Sequence, residues 1–331
     1  MPLLELSHVT TYRYRQPVRF GEHRLMVRPR ESYDQHLLDA TLQIDPPPSE
    51  LRWLQDVFGN SVAVAGFDRR GSELRFAAHA RVLHDPAQYD LVASHGIEIE
   101  DYARDYPFTY SSEEMPDLLR SIERQHLDPL REVDRWARRF VAPHGRTATL
   151  GLLTAMTRAI REEFTYVGRP EKGTQTPRET LARQRGTCRD FAMLMIEAVR
   201  ALGFAARFCS GYLYSPTATE RRRGGGNTHA WVRVYLPGSG WIEFDPTNGI
   251  VGNRGLIRVA VARDIYQAVP VSGTWTGAPG SFIDMDVSVD VRVIDAAQSA
   301  GEPVARPAVP APETASQTAP QTASQTANAI A

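Results

Sequence analysis

A cysteine at the start of an apolar helical run, a histidine opening a β-rich run and an aspartate closing the next one are the side chains here that could do covalent chemistry. Cys188 stands in Gly186-Thr187-Cys188-Arg189-Asp190-Phe191-Ala192. Beyond it Phe191, Leu194, Met195, Ala198, Val199 and Leu202 recur at helical spacing and Gly203 is a natural stop, which predicts a helix with one buried face and Cys188 in its first turn. Unpaired backbone N–H groups and the positive end of the dipole favour thiolate over thiol there. Asp190 suits the same dipole without being chemical. The plain alternative for Cys188 is a small buried hydrophobe. Cys209, in a strand-like run over 207–214 with no helix start beside it, is read as packing.

The second piece is Thr228-His229-Ala230-Trp231-Val232-Arg233-Val234-Tyr235-Leu236, a Pro237-Gly238-Ser239-Gly240 turn, and Trp241-Ile242-Glu243-Phe244-Asp245-Pro246-Thr247-Asn248. Two β-rich runs around such a turn predict a hairpin. Pairing Tyr235 with Trp241 sets Arg233 against Glu243 and Trp231 against Asp245, and puts Ala230, Val232, Val234, Leu236, Ile242 and Phe244 on one apolar face. In that register His229 is the diagonal neighbour of Asp245, with Cα atoms roughly 7–8 Å apart. A carboxylate beside an imidazole holds one tautomer and leaves the other ring nitrogen to accept a proton from the cysteine. A satisfied strand histidine and a turn-initiating Asp-Pro are the alternatives taken singly. Together they leave the order cysteine, histidine, aspartate unexplained.

The elements around these residues fall into stretches. Residues 1–85 show short β-rich runs, such as 9–14 and 61–65, between Pro and Gly punctuation, and predict an all-β domain, a sandwich or open barrel. Residues 86–113 have weak periodicity and read as a connection. Residues 114–294 read as an α+β core: Leu118, Leu119, Ile122, then Leu152, Leu153, Met156 and Ile160 recur at helical spacing, and strands follow the Cys188 helix. Its closing strand alternates Ile283, Met285, Val287, Val289, Val291 and Val293 with polar residues, which predicts one buried and one wet face. Residues 295–331 are Ala/Pro/Thr/Gln-rich, with Thr-Ala-Ser-Gln-Thr-Ala at 314–319 and again at 322–327. That composition predicts a disordered tail.

Composition narrows the function classes. Lys plus Arg number 38 against 39 Asp plus Glu, a net charge of -1, which gives no reason to expect a nucleic-acid partner. Arg221-Arg222-Arg223 before Gly224-Gly225-Gly226 reads as a solvated loop rather than a phosphate site. No 18-residue apolar window and no basic-then-apolar leader occurs, so no membrane association and a cytoplasmic location are expected. Two cysteines without metal-ligand spacing, and no calcium-loop motif, predict no metal and no cofactor.

The order Cys188, His229, Asp245, with the two quoted stretches around them, resembles the transglutaminase-like superfamily. The Tyr12 and Tyr14 region, Pro29-Arg30 and Phe58-Gly59-Asn60 resemble the β-rich N-terminal region of its bacterial members, and residues 261–264 through Gly277 resemble their C-terminal continuation. The resemblance implies a papain-like α+β core in which the nucleophile helix packs on an antiparallel sheet. It also implies acyl transfer through a thioester, with a protein or peptide as substrate. Peptidase, amidase and cross-linking activities all occur on this core. A non-catalytic binding or assembly protein using the same cleft, and an arylamine acetyltransferase-like enzyme, are the competing readings. Phe164-Thr165-Tyr166 resembles the Phe-x-Tyr segment that precedes the family's cysteine. Tyr166, Gln184 and Trp231 are the candidates for an oxyanion donor or cleft wall. A packed aromatic at Tyr166 and a surface helix residue at Gln184 stand as alternatives.

Overall fold

The computed structural model describes residues 2–86, 97–168, 173–215, 223 and 226–294. The tail expected at 295–331, and Arg221, Arg222, Gly224 and Gly225 of the basic loop, lie outside the described residues. The strands are β1 (Leu3–Leu25), β2 (Gln35–Asp45), β3 (Glu50–Gln55), β4 (Ser61–Gly66), β5 (Arg70–His84) and the short β6 (Asp105–Tyr106). Helices α1 (Met115–Ile122) and α2 (Glu132–Arg138) follow, then β7 (Thr147–Ala148), α3 (Thr149–Glu163), β8 (Thr165–Tyr166), α4 (Pro177–Arg183) and β9 (Arg185–Gly186). The chain continues through α5 (Cys188–Ala201), β10 (Ala206–Leu213), β11 (His229–Leu236), β12 (Gly240–Asp245), β13 (Ile250–Val251) and β14 (Leu256–Ala262). It closes with β15 (Val271–Thr276) and β16 (Phe282–Ile294).

The first sheet is seven-stranded and organised by β1, which pairs antiparallel with β5 and β16 along its first half and with β15 and β4 near its end. Tyr14, Phe20, Leu25, Leu74 and Phe76 gather into one apolar cluster on this sheet. The sequence places residues 282–294 with the α+β core, and the structure corrects this: β16 pairs with β1 from Leu3↔Ile294 to Tyr14↔Phe282. Alternation identifies a strand but carries no information on its partner. The predicted buried face is correspondingly partial. Val289 is buried, while Ile283, Met285 and Val293 are about half exposed, since a strand pairing along one side of β1 is covered only where another layer lies across it. Contacts tie both sheets into one unit spanning Met1–Asp295.

The second sheet runs β13-β12-β11-β10-β14. It is covered on both faces, which is why every residue of β14 is buried. On one face α5 packs with α2 and α3 against Ala230, Val232, Val234, Ile242 and Phe244. On the other, Tyr212, Tyr214, Ile257 and Val259 meet Leu4, Leu6 and Val82 of the first sheet. The free edge of β14 is satisfied by side-chain amides that stand in for a neighbouring strand. Gln35 donates to the Arg258 carbonyl and accepts from its N–H (2.9 Å each), and Asn60 does the same at Val261 (2.8 and 2.9 Å). Beside them Arg258, buried, bonds Asp34 and Glu243.

Helix α5 departs from the expected amphipathic pattern: it is buried on all sides, including Glu197 and Arg200. Those two pair at 3.1 Å, Glu197 accepts the N–H groups of Gln125 and His126, and Arg200 donates to the Ser121, Ala206 and Arg263 carbonyls. Their charges are therefore compensated inside. The helix ends as the sequence requires. Gly203 has φ +90°, its N–H bonds Arg200 O, and the next N–H reaches back to Val199 O, a Schellman closure.

Candidate functional site

The hairpin of β11 and β12 has the register read from the sequence, with Tyr235 opposite Trp241, Arg233 opposite Glu243 and Val232 opposite Phe244. That register brings together the residue that opens β11 and the one that closes β12. His229 Nε2 lies 2.8 Å from Asp245 Oδ2, with both side chains fully shielded from solvent. Asp245 is held in turn by the chain that follows it. The Thr247 N–H (2.9 Å) and Asn248 N–H (3.3 Å) donate to Oδ1, and Asn248 Nδ2 donates to Oδ2 at 2.8 Å. Asp-Pro-Thr-Asn is thus both a turn initiator and an anchor for a carboxylate, two roles the sequence reading had set against each other.

Cys188 is the first residue of α5. Thr187 caps the helix in a reciprocal box with Asp190, whose Oδ2 accepts the Thr187 N–H at 2.8 Å. Asp190 also accepts the Gln175 backbone N–H at 2.7 Å and its side-chain amide at 3.2 Å, fastening the loop before α4 to α5. This crowding explains Gly186, where an added Cβ would come within 2.8 Å of Asp190 Cβ.

Electrostatics mark the histidine and the second cysteine, Cys209. Burial opposes charge on the His229 ring, but the Asp245 carboxylate and its hydrogen bond outweigh it, with a further contribution from the Cys188 side chain, and the ring is raised to about 10. Burial alone would raise Asp245, yet His229, Asn248 and the Thr247 N–H hold it below the usual carboxylate range. With Nε2 engaged by Asp245, the nitrogen left for the thiol is Nδ1, which makes no hydrogen bond. Cys209 lies in β10 among Leu213, Trp231, Leu256 and Val261, and burial pushes its thiol up to about 12.

Of the three accessory candidates, the structure brings two to this corner. Trp231 is fully buried with its indole stacked on the His229 ring, centroids 5.9 Å apart. Tyr166, half-buried on β8, packs against Phe191, and burial together with the charges of Cys188 and Asp245 raises its phenol to about 12. Gln184 stands apart: it is the exposed C-cap of α4 at φ +49°, and its carbonyl accepts from Thr165 N at 2.9 Å. Four residues of separation from Cys188 suggested reach, but a left-handed cap and the β9 strand lie between them. Asn248 and Gln175 were not singled out from sequence. The Asx-turn signal of Asp-Pro-Thr-Asn would have found the first.

Among the described residues, no three His, Cys, Asp or Glu side chains converge as a metal-ligand set, and no helix is long and apolar enough to cross a membrane.

Comparison with known proteins places this geometry. Residues 4–83 match the bacterial transglutaminase-like N-terminal region, and residues 135–246 match the transglutaminase-like superfamily. A protein of Mycobacterium tuberculosis is 29% identical over 295 residues, covering 86% of this chain and 91% of the relative. YebA of Bacillus subtilis is 23% identical over 199 residues, covering 58% of this chain and 26% of its own length. The crystal structure of a "putative cysteine protease" from Cytophaga hutchinsonii superposes with a TM-score of 0.62 at 20% identity, covering 89% of this chain and 92% of the other, a likeness of fold.

Proposed function

From the premise that this chain belongs to the transglutaminase-like superfamily, with the core at residues 135–246 and the bacterial N-terminal region at 4–83, we propose that it is a cysteine-dependent amide hydrolase. In this reading Cys188 is the nucleophile, His229 the proton carrier and Asp245 the residue that orients the ring. The observation that carries it is the fully shielded 2.8 Å contact between His229 Nε2 and Asp245 Oδ2, which leaves Nδ1 open to the Cys188 side chain.

With its ring raised to about 10, His229 carries a proton at neutral pH, which the departing amine requires. The Cys188 sulfur attacks the amide carbonyl carbon, the carbon–nitrogen bond breaks, and Nδ1 gives its proton to the amine. The acyl group is then a thioester. Water adds to it, its proton passes to the now neutral ring, the carbon–sulfur bond breaks, and the acid leaves with thiolate and imidazolium restored. In this reading N–H groups at the start of α5 stabilise the carbonyl oxygen as it gains charge, with Tyr166 beside Cys188 and Trp231 backing the His229 ring. A solvent-open cavity of about 360 Å³ borders Tyr166. It supports hydrolysis over transfer to an amine, because water reaches a thioester unless the site excludes it.

The test uses both cysteines. Iodoacetamide at neutral pH is expected to modify Cys188 at least about 100-fold faster than Cys209, in line with the contrast between a site thiol and a buried packing thiol. Equal, slow labelling would remove the enzyme reading. A peptide library with Gln residues and amine donors, followed by mass spectrometry, then separates backbone cleavage or deamidation from amine incorporation. All products should be lost in Cys188→Ala.

A further inference from the structure

Beside the Cys188–His229–Asp245 corner lies a cavity bounded by Arg161 and Phe164 at the end of α3, Thr165 and Tyr166 of β8, and Arg223 from the segment preceding β11. Two routes connect it to the corner. Tyr166 is within electrostatic reach of both Cys188 and Asp245. Arg223 is fixed by Asn248, which accepts its N–H at 2.8 Å, donates to its carbonyl at 3.3 Å, and donates to Asp245 at 2.8 Å. The Arg161 stem packs over the turn at Gly249, where an added Cβ would approach its Cγ at 3.3 Å.

What the cavity lacks is negative charge in contact with these cations. Arg223 Nη1 is buried and without a hydrogen-bond partner. Among the described residues neither guanidinium makes an ion pair. Burial first, and then the charge of Arg161, disfavour the charge on Arg223. Of the two carboxylates on the rim, Glu163 is committed to Arg139 at 2.6 and 2.7 Å, and Glu162 is exposed. Two guanidiniums converging without a counter-charge, one with a buried nitrogen left unbonded, form a receptor for a planar anion with two oxygens.

We propose that Arg161 and Arg223 are specificity residues that bind a carboxylate of the substrate, so that the amides turned over carry an acidic group close to the bond that is broken. The inference rests on the reading of Cys188 as nucleophile. The substrate class is then an acidic peptide or a peptide-like amide with a carboxylate arm. The anion occupies the cavity while the carbonyl faces the sulfur.

The experiment compares two probes of equal size, the α-carboxamides of N-iodoacetyl-glutamate and N-iodoacetyl-glutamine, which differ only in carrying one carboxylate or none, on the full chain. The readout is the ratio of their alkylation rates at Cys188, normalised to the ratio on glutathione. The expected normalised ratio favours the glutamate probe about tenfold, the discrimination of one charge-assisted contact. It should fall to near unity in the Arg161→Gln/Arg223→Gln double variant and invert in Arg161→Glu. A ratio near unity in the wild type, with fast labelling by both probes, overturns the arginine site and leaves the nucleophile standing. A preference that survives the double variant also overturns the site. Failure of both probes to label Cys188 overturns both readings. Unfolding would also bring the normalised ratio to unity, so each variant must match the wild type in circular dichroism, and the inversion in Arg161→Glu is an outcome that unfolding cannot imitate.

Discussion

Two regions of this molecule bury histidines in different charge states, one cationic and the other neutral. Beside Asp245 and Cys188, His229 is raised to about 10. At the seam between the two sheets, His8 and His84 are lowered to about 4 by burial. All three are equally hidden from water. The difference is the partner. His229 meets a carboxylate, while His8 and His84 meet phenols at 3.0 and 2.9 Å, Tyr212 and Tyr214. Tyr212 donates to the Val27 carbonyl, so its oxygen accepts from His8 Nδ1, and the neutral ring takes the Thr10 hydroxyl at Nε2. Burial sets the cost of charge, and one ionised neighbour reverses its sign.

The most severe way to break the contrast is to remove that neighbour. In Asp245→Asn the ring loses its counter-ion, and NMR titration of His229 should move from about 10 toward or below the ordinary histidine value. The acylation rate should fall about 10⁴-fold, the loss seen when the orienting aspartate of a serine triad becomes asparagine. An unchanged rate would mean that the ring is oriented by its surroundings alone.

Next in size is the charge cluster that anchors the seam. Arg258→Met leaves Asp34 and Glu243 buried without their cation, and unfolding in urea should show a loss of about 3–5 kcal/mol. A loss below about 1 kcal/mol would mean that Asn253, Ser32 and Arg233 suffice to compensate the carboxylates.

The two regions also predict opposite slopes of stability with pH. His8 and His84 bind protons more weakly folded than unfolded. Their contribution is therefore complete above about 6.5 and is lost as pH falls toward about 4, by about 3 kcal/mol each from roughly 2.5 units at 1.36 kcal/mol per unit. His229 binds its proton more tightly folded, so its contribution is complete below 6.5 and is lost as pH rises through about 10. Urea titrations should show a shallower acid slope in His84→Gln than in the wild type and a shallower alkaline slope in His229→Gln. Parallel curves would contradict the assignment.

The smallest effect sharpens the boundary of the site. Gln184 occupies a left-handed cap, so Gln184→Gly should stabilise the fold by about 1 kcal/mol while leaving alkylation of Cys188 unaltered. A drop in Cys188 reactivity would return Gln184 to the list of site residues.

Local chemistry was readable from the sequence wherever it depends on neighbours along the chain. The Arg233–Glu243 register, the Gly203 stop, the cysteine at the helix start and the His229–Asp245 meeting all follow from periods and turns. What escaped depends on contacts across the chain. The partner of β16 is β1, at the other end of the described fold, with pairs running from Leu3↔Ile294 to Tyr14↔Phe282, and alternation is silent about it. The burial of α5 on all sides requires Ser121, Gln125 and His126 to meet Glu197 and Arg200, none of which a helical period reveals. Gln35 and Asn60 look like loop residues until β14 arrives beside them with an open edge.

The Leu3↔Ile294 pairing puts two distant points of the chain side by side on neighbouring strands. A covalent link across that gap would add little strain, so a circularly permuted gene could join residue 294 to residue 3 and open new ends in a surface turn such as Pro47-Pro48-Ser49. The hairpin bearing His229 and Asp245 would then lie within an uninterrupted stretch. The order in which the ribosome delivers the two sheets becomes a variable that can be rewritten without altering the finished fold.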